Sequence, residues 1–93
     1  MSAVTVRFAD IEAAATRIQG LVRVTPIVSV GACRQPVAPN ADLILKLDCL
    51  QPSGSFKIRG ASNTVASLSA DALRRGLITA SGGNHGMAVA YAA

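Results

Sequence analysis

The sequence predicts an α/β fold in which a partial parallel sheet is flanked by helices. Short apolar runs alternate with longer segments whose apolar residues recur at helical spacing, and turns rich in glycine and serine separate them. The order strand, helix, strand, helix is typical of a parallel sheet with right-handed crossovers. Because neighbouring parallel strands end at the same edge of a sheet, we expect the turns that follow them to converge there.

An amphipathic helix is predicted near the N-terminus. Its apolar positions follow helical spacing, with charged and polar residues between them; they are Phe8, Ile11, Ala14, Ala15, Ile18, Leu21 and Val22. The pair Thr25-Pro26 should end this helix, because a residue before proline avoids the helical conformation. A short extended segment, 27–30, is expected next.

Two further strands and three further helices are predicted in the rest of the chain. Apolar runs bounded by glycine and proline mark the strands, and Gly76 is the expected stop of the shortest helix. The predicted elements, in order, are a loop at 35–40, a strand at 43–47, helices at 56–68 and 71–75, a strand at 77–80, a turn at 81–86 and a helix ending at Ala93.

The composition indicates a globular chain of one small domain at most. The 93 residues are 51% apolar, 15% charged and 3% aromatic, which is too hydrophobic for a disordered segment. A chain of this size buries only about 60 to 65% of the surface that its unfolded form exposes. The apolar surface that the chain can bury is therefore barely enough to stabilise a fold of its own.

The net charge of +4 does not predict a nucleic-acid partner. The basic residues are spread along the chain, and no aromatic side chains interleave with them to stack on bases. They are Arg7, Arg17, Arg23, Arg34, Lys46, Lys57, Arg59, Arg74 and Arg75. We expect them to be solvated surface residues.

Cysteine usage and hydropathy predict a cytoplasmic chain without a metal or a membrane partner. Cys33 and Cys49 form no CxxC pair and lack clustered histidine or acidic partners, so buried free thiols are expected. Arg7, Asp10 and Glu12 interrupt the region in which a signal peptide needs an apolar core. The sequence also has no run of about 18 or more apolar residues that could span a bilayer.

Lys57 is the predicted reactive amine of the chain. It lies in the segment Gly-Ser-Phe-Lys-Ile-Arg-Gly at 54–60, where a strand gives way to a helix. The partial positive charge at a helix N-terminus favours a neutral amine, which is the form that attacks a carbonyl to give a Schiff base. Without its context, a lysine at a helix start is an ordinary surface residue.

A second distinctive turn, Ser-Gly-Gly-Asn-His-Gly at 81–86, follows the next predicted strand. Adjacent glycines let the backbone approach a ligand closely, and free N–H groups at a helix start suit a carboxylate or phosphate. Asn84 can donate and accept hydrogen bonds, and His85 adds an imidazole. The same residues are also compatible with a plain turn in which Asn84 only caps the helix.

Taken together, the two turns resemble the signature of the fold type II pyridoxal-phosphate enzymes, most closely the threonine/serine dehydratase branch, which includes serine racemase-like proteins. The similarity rests on Gly-Ser-Phe-Lys-Ile-Arg-Gly-Ala at 54–61 and on the turn at 81–86. It extends to Arg17-Ile18, Thr25-Pro26-Ile27 and Leu45-Lys46-Leu47-Asp48. The resemblance implies that residues 1–93 are the N-terminal part of such a fold and that the cofactor is pyridoxal 5'-phosphate.

The resemblance also implies roles for the residues of both turns. Lys57 would carry the cofactor as a Schiff base and act as the proton-transfer base, Phe56 would flank the pyridine ring, and Asn84 would hydrogen-bond the ring's phenolic oxygen. The substrate carboxylate would bind the turn made by Ser81, Gly82, Gly83, Asn84 and His85. The implied reaction converts the amino acids L-threonine or L-serine to a 2-oxo acid and ammonia, with the cofactor as electron sink. The parent enzyme is expected to be a homo-oligomer.

Two departures bear on the branch. Related cysteine and threonine synthases favour Lys-Asp-Arg and Gly-Asn-Thr, whereas this chain has Lys-Ile-Arg at 57–59 and Gly-Asn-His at 83–85. Serine racemases are expected to carry a serine two residues before the asparagine, as the acid on the opposite face, and here that position is Gly82. The dehydratase is therefore favoured over the racemase, although Ser81 is adjacent.

The resemblance places part of the cofactor site outside these residues. The glycine-rich loop for the cofactor phosphate and the group facing the pyridine nitrogen would follow in a longer chain, and 90–93 is alanine-rich without a helix stop. The sequence thus predicts a truncated dehydratase that is inactive alone, the alternatives being a non-catalytic α/β fragment and a serine racemase. Arg59 is expected to form an ion pair or lie on the helix surface, and Ser53 and Ser55 to be caps.

Overall fold

The computed structural model describes residues 3–31 and 35–93, so the predictions for Cys33 and Arg34 lie outside the described residues. The described residues form helices and one small two-stranded sheet, which confirms the α/β class. The elements are α1 (Phe8–Arg17), β1 (Ile27–Ser29), β2 (Ile44–Lys46), a 3-10 helix (Asp48–Leu50), α2 (Lys57–Ala66), α3 (Ala70–Arg74) and α4 (Asn84–Ala92).

Helix α1 begins as predicted but ends earlier. Asp10 Oδ2 accepts a hydrogen bond from the Arg7 backbone N–H at 2.8 Å, which satisfies a donor at the helix start. The prediction that the helix continues to Thr25-Pro26 is wrong, because Gly20 adopts a left-handed conformation with φ of 82°. A glycine in this conformation is a common helix stop, and it overrides the apolar spacing that continues to Val22.

The sheet is antiparallel in the described residues. β1 pairs with β2 so that Ile27 faces Lys46, Val28 faces Leu45 and Ser29 faces Ile44. The two strands match the predicted segments 27–30 and 43–47, but the predicted parallel pairing is not seen.

The segment 77–80, predicted as a strand, forms no strand. A strand needs a neighbour for its N–H and C=O groups. Leu77 and Ile78 are instead exposed, Ile78 completely. An apolar segment of this kind is typical of a buried strand, but the described residues do not bury 77–80.

The core lies between α2 and α4. Ile58 and Ala88 are completely buried, and Ala61 is buried beside them. α2 occupies most of the predicted range 56–68, and Gly76, with φ of 85°, ends the short turn after α3 as predicted. This packing brings the N-terminal ends of α2 and α4, which carry the two distinctive turns, onto one side of the molecule.

The chain exposes more surface than a closed domain of its mass. Its accessible area is 7321 Å², whereas a folded monomer of this mass exposes about 5,000 Å². The radius of gyration is 16.7 Å, against about 12 Å for a compact domain of this length. Much of the excess is apolar, with Val24 and Ile78 almost fully exposed.

Among the helices of the described residues, none is both long enough and apolar enough to pass through a membrane.

Candidate active site

Lys57 is the first residue of α2, and its side chain is exposed. The preceding residue, Phe56, is the N-cap, and the Lys57 Nζ atom lies 5.4 Å from the centroid of the Phe56 ring. The buried Ser55 hydroxyl accepts a long hydrogen bond, 3.4 Å, from the Lys57 backbone N–H. The lysine is therefore attached to an ordered helix start while its amine remains accessible.

The second turn is organised by Ser81. Its Oγ accepts hydrogen bonds from the backbone N–H groups of Gly83 at 3.1 Å and Gly86 at 2.9 Å. These two donors lie at the start of α4, where N–H groups have no partner within the helix. The capping oxygen is thus that of Ser81, and the alternative in which Asn84 caps α4 is wrong, since Asn84 is already the first helical residue.

Gly86 allows this arrangement. A Cβ atom at position 86 would lie 3.3 Å from the Ser81 Cβ and 3.4 Å from its Oγ, closer than ordinary van der Waals contact. Gly82 and Gly83 differ, because a Cβ at either position would have no atom within 4 Å. The turn therefore leaves open space beside its two adjacent glycines.

A cavity of about 570 Å³ joins the two turns. Phe56, Lys57 and Arg59 from α2 line one wall, and His85 from α4 lines another. Asn84, Ser81, Gly82 and Gly83 belong to the same turn as His85 but are not among the lining residues. The structure thus brings the lysine, its aromatic neighbour and the histidine to one cavity, and leaves the other predicted site residues beside it.

A polar cluster that the sequence did not reveal supports the lysine helix. Asp48, at the start of the 3-10 helix, accepts two hydrogen bonds from Arg59, from Nε at 2.8 Å and from the second terminal nitrogen at 3.1 Å. It also accepts from the Thr25 hydroxyl at 2.6 Å. The expectation that Arg59 forms an ion pair is confirmed. Asp48 lies 11 residues before its partner and across a loop, so no sequence periodicity marks the pair.

The charges of this pair stabilise each other. The hydrogen bonds from Arg59 hold the pKa of the Asp48 carboxyl well below its usual range, with burial opposing and the Thr25 hydroxyl assisting. The same hydrogen bonds raise the pKa of the Arg59 guanidinium above its already high value. Asp48 is consequently a carboxylate at neutral pH, and both members remain charged.

Gln51 completes the cluster. Its amide is buried and forms two hydrogen bonds with the Arg23 backbone, accepting from the N–H at 2.9 Å and donating to the C=O at 2.9 Å. The Gln51 nitrogen also lies 3.4 Å from the Asp48 carboxylate. The segment before β1 is thereby joined to the segment that leads from β2 to Lys57.

The expectations for the serines before α2 and for Cys49 were only partly correct. Ser55 contacts the start of α2 as a cap would, whereas the buried Ser53 hydroxyl has no hydrogen-bond partner. Cys49 is a free thiol, but it is exposed rather than buried, because the 3-10 helix that carries it lies at the surface. Within residues 3–31 and 35–93, no three His, Cys, Asp or Glu side chains are grouped as metal ligands would be.

Comparison with known proteins identifies the class. Residues 18–93 match the family described as pyridoxal-phosphate dependent enzyme, and the chain belongs to that family. The cofactor of the family is pyridoxal phosphate, as predicted. No solved structure matches the chain.

The relatives that match the chain are named as serine racemases and as a threonine dehydratase. The chain is 43% identical to human serine racemase over 91 residues, which is 95% of this chain and 26% of the racemase. It is 39% identical to the serine racemase of Dictyostelium discoideum over 88 residues, 95% of this chain and 26% of that protein. It is also 39% identical to the catabolic L-threonine dehydratase TdcB of Staphylococcus aureus (strain USA300) over 88 residues, 95% of this chain and 25% of the dehydratase. The chain thus spans about a quarter of the length of the relatives it matches.

The cavity suits the family's cofactor. Pyridoxal phosphate carries an aldehyde, and the exposed Lys57 amine on the cavity wall is the group that can bond to it. The adjacent Phe56 ring offers an apolar face to an aromatic ring. The volume of 570 Å³ lies within the range of small-molecule sites, about 300 to 1,000 Å³.

Proposed function

We propose that the whole protein to which this chain belongs is a pyridoxal-phosphate-dependent L-threonine/L-serine dehydratase. The observation that carries the proposal is the shared cavity, in which Lys57 of one turn lies with His85 of the other. Membership of the family and the threonine dehydratase among the relatives support it. A cytoplasmic location and homo-oligomeric assembly of the whole protein stay predictions.

In this proposal Lys57 has two tasks. Its Nζ would hold the cofactor through the aldehyde, and the same amine would take the proton from the substrate Cα. Its position at the start of α2, on the cavity wall, suits both tasks because the amine can reach the cavity without moving the helix. The bound cofactor supplies an electron sink for the carbanion formed at Cα.

The second turn binds and orients the substrate. Backbone N–H groups of 81–85 other than that of Gly83, which is bonded to Ser81, attract the substrate carboxylate, and His85 reaches the cavity beside them. Asn84 would hold the phenolic oxygen of the bound cofactor. Because Ser81 already accepts from two of the amides, the turn has a fixed shape before a ligand enters.

The overall reaction removes one water and then adds one. The Cα proton passes to Lys57, and the β-hydroxyl leaves with a proton as water. The released enamine then takes up water and loses ammonia, which gives the 2-oxo acid.

Cofactor attachment provides the first test. Within residues 1–93 the only lysines are Lys46 and Lys57, so attachment in this segment can be read from two peptides. The full-length protein would be incubated with pyridoxal phosphate, treated with borohydride to fix the lysine–cofactor bond, and digested for mass spectrometry. We expect the adduct at Lys57, its loss in Lys57→Arg, and its persistence in the matched control Lys46→Arg. An adduct that forms equally at Lys46 would contradict the proposal.

Gly82 distinguishes the dehydratase from a serine racemase. The racemase would need a second acid at this position, and Gly82 offers none, while the neighbouring Ser81 hydroxyl is bonded to the start of α4. A side chain at position 82 has open space. We therefore expect Gly82→Ser to introduce D-serine formation from L-serine, and Gly82→Ala to introduce none.

Chiral chromatography of the products measures both activities. Substantial D-serine formation by the unaltered protein would favour the racemase and overturn the preference for a dehydratase. Formation of 2-oxo acid from L-threonine and L-serine by the unaltered protein, with little D-serine, would support it.

A further inference from the structure

We propose that Asp48 is a positioning residue for Lys57, acting through Arg59. This inference rests on the proposed function, because it concerns how the reactive amine is oriented in the cavity. Arg59 lies two residues after Lys57 in the first turn of α2, and it lines the same cavity. Two of its guanidinium nitrogens, Nε and one terminal nitrogen, are bonded to Asp48.

The geometry of the pair restricts the helix start. Two parallel hydrogen bonds between a guanidinium and a carboxylate define the relative orientation of the two groups, which a single contact would not do. The Asp48 side chain is 15% exposed and the Arg59 side chain 33% exposed, so water competes less with this pair than with a surface pair. The first turn of α2 is therefore tied to the end of β2 at a defined distance.

Asp48 is itself immobilised from two other directions. The Thr25 hydroxyl donates to the oxygen that also accepts from Arg59, and Gln51 approaches the same oxygen. Thr25 and Gln51 are both buried, and Gln51 is bonded to the backbone of Arg23. Motion of the carboxylate would break contacts in three chain segments at once.

The loop between the two anchors explains why such a tie is useful. Residues 51–56 connect the 3-10 helix to α2 and include Gly54, which has φ of 80° and allows a tight turn. Lys57 follows this loop directly. Without the ion pair, the helix start would be held mainly by the packing of Ile58 against α4 and by the long bond to Ser55.

This arrangement also separates the roles of two neighbouring basic residues. Lys57 has an accessible amine and faces the cavity, whereas the Arg59 guanidinium has its Nε and one terminal nitrogen engaged by Asp48. Arg59 is thus a positioning residue together with Asp48, and Lys57 is the reacting residue.

The test measures how fast the cofactor bonds to Lys57 in variants of the full-length protein. Protein is mixed with pyridoxal phosphate, treated with borohydride after increasing intervals, and the Lys57 and Lys46 peptides are quantified by mass spectrometry. For Asp48→Asn we expect attachment at Lys57 to slow by about tenfold or more, because a reacting group displaced by about an ångström can lose two orders of magnitude in rate. The rate at Lys46, whose amine donates to the Thr25 backbone carbonyl at 3.4 Å, should change much less than the rate at Lys57.

Three variants accompany this measurement. Asp48→Glu keeps a carboxylate and should recover most of the rate at Lys57. Asp71→Asn removes the exposed ion pair between Asp71 and Arg74 on α3 and should have no effect. If circular dichroism shows that Asp48→Asn does not fold, Arg59→Gln is read in its place, since glutamine cannot form the paired charged hydrogen bonds and adds no second amine to the cavity wall.

The outcomes separate this inference from the proposed function. If the unaltered protein attaches no cofactor at Lys57, the proposed function fails. If it does attach cofactor there, and the folded Asp48→Asn or Arg59→Gln variant does so at the same rate, the positioning role is overturned. A slowing of equal size at Lys46 would also overturn it, because the change would then be general.

Discussion

At the scale of single residues, two neighbouring basic side chains of the cavity differ in their surroundings. Lys57 and Arg59 are two positions apart, and both line the cavity. Only Arg59 is held by Asp48, whose carboxylate it contacts through two nitrogens. Arg59 thus has a structural role, because the Asp48 carboxylate lies within hydrogen-bond distance of it.

The free energy of unfolding should depend on pH through the ionisation of Asp48. The pKa of Asp48 is lowered from its ordinary 3.8 by Arg59, so the pair stabilises the native state above that pH and the contribution is lost as the pH falls below it. We expect Asp48→Asn to lower the free energy of unfolding by about 2 kcal/mol at neutral pH, because Arg59 loses a charged partner. The deficit should shrink as the pH falls below about 4.

Urea unfolding of the full-length protein, followed by circular dichroism at several pH values, measures this deficit. The exposed Asp71 provides the control, since Asp71→Asn should change neither the stability nor its pH dependence. If Asp48→Asn lowered the free energy of unfolding by the same amount at neutral and at acidic pH, the charge of Asp48 would not contribute to stability.

At the scale of elements, helix starts decide the geometry of the site. α2 begins at Lys57 and α4 at Asn84, and the two helices pack through Ile58, Ala61 and Ala88. Small residues at this contact let the helices approach closely, which brings Lys57 and His85 to the walls of one cavity. Lys57 and His85 are thus placed by helix packing, and the 3-10 helix contributes the anchor at Asp48.

Two helical glycines should respond oppositely to alanine. A Cβ at Gly60 of α2 meets nothing within 4 Å, so Gly60→Ala should stabilise the protein by about 0.5 to 1 kcal/mol through helix propensity. A Cβ at Gly86 would press on Ser81, so Gly86→Ala should destabilise by about 1 kcal/mol as the Ser81 cap is displaced.

Thermal and urea unfolding of the two full-length variants, measured side by side, tests this contrast. Because the substitution is identical and both positions are helical, differences in side-chain chemistry cancel. Equal gains in stability at both positions would mean that Ser81 does not restrain the start of α4.

Prediction from sequence succeeded for helices and failed for strand pairing. The observed ranges of α2 and α4 lie within the predicted helix at 56–68 and the predicted final helix after 81–86, up to a few residues at the ends, because helical hydrogen bonds join residues only four apart. The segment 77–80 has the composition of a strand, but a strand also requires a partner, and that partner is not found among the described residues. α1 ended early because one glycine conformation outweighed a continuing apolar pattern.

At the scale of the whole molecule, the chain has little core for its surface. In the described residues, the buried apolar side chains are Ile18, Ile58, Ala61 and Ala88. The exposed area of 7321 Å² exceeds that of a closed domain, which would be about 5,000 Å². The relatives are about four times as long, so these residues match only part of a larger protein.

The isolated 93-residue chain should therefore lack a sharp unfolding transition. Too few apolar side chains are buried to offset the conformational entropy that folding removes. We expect a broad thermal change by circular dichroism and strong fluorescence of a dye that binds exposed apolar surface. The full-length protein is the control and should unfold sharply. A sharp transition of the isolated chain without dye binding would show that it is a self-sufficient domain.

The sequence alone identified the lysine motif, the glycine-rich second turn, the family and most helix positions, because each depends on residues that are close together in the chain. Only the tertiary structure showed that β1 and β2 pair antiparallel, that His85 shares a cavity with Lys57, and that Asp48 binds Arg59. These features join residues that are distant in sequence or separated by loops. Their partners are selected by packing and by the need to satisfy buried charge, which local sequence patterns do not encode.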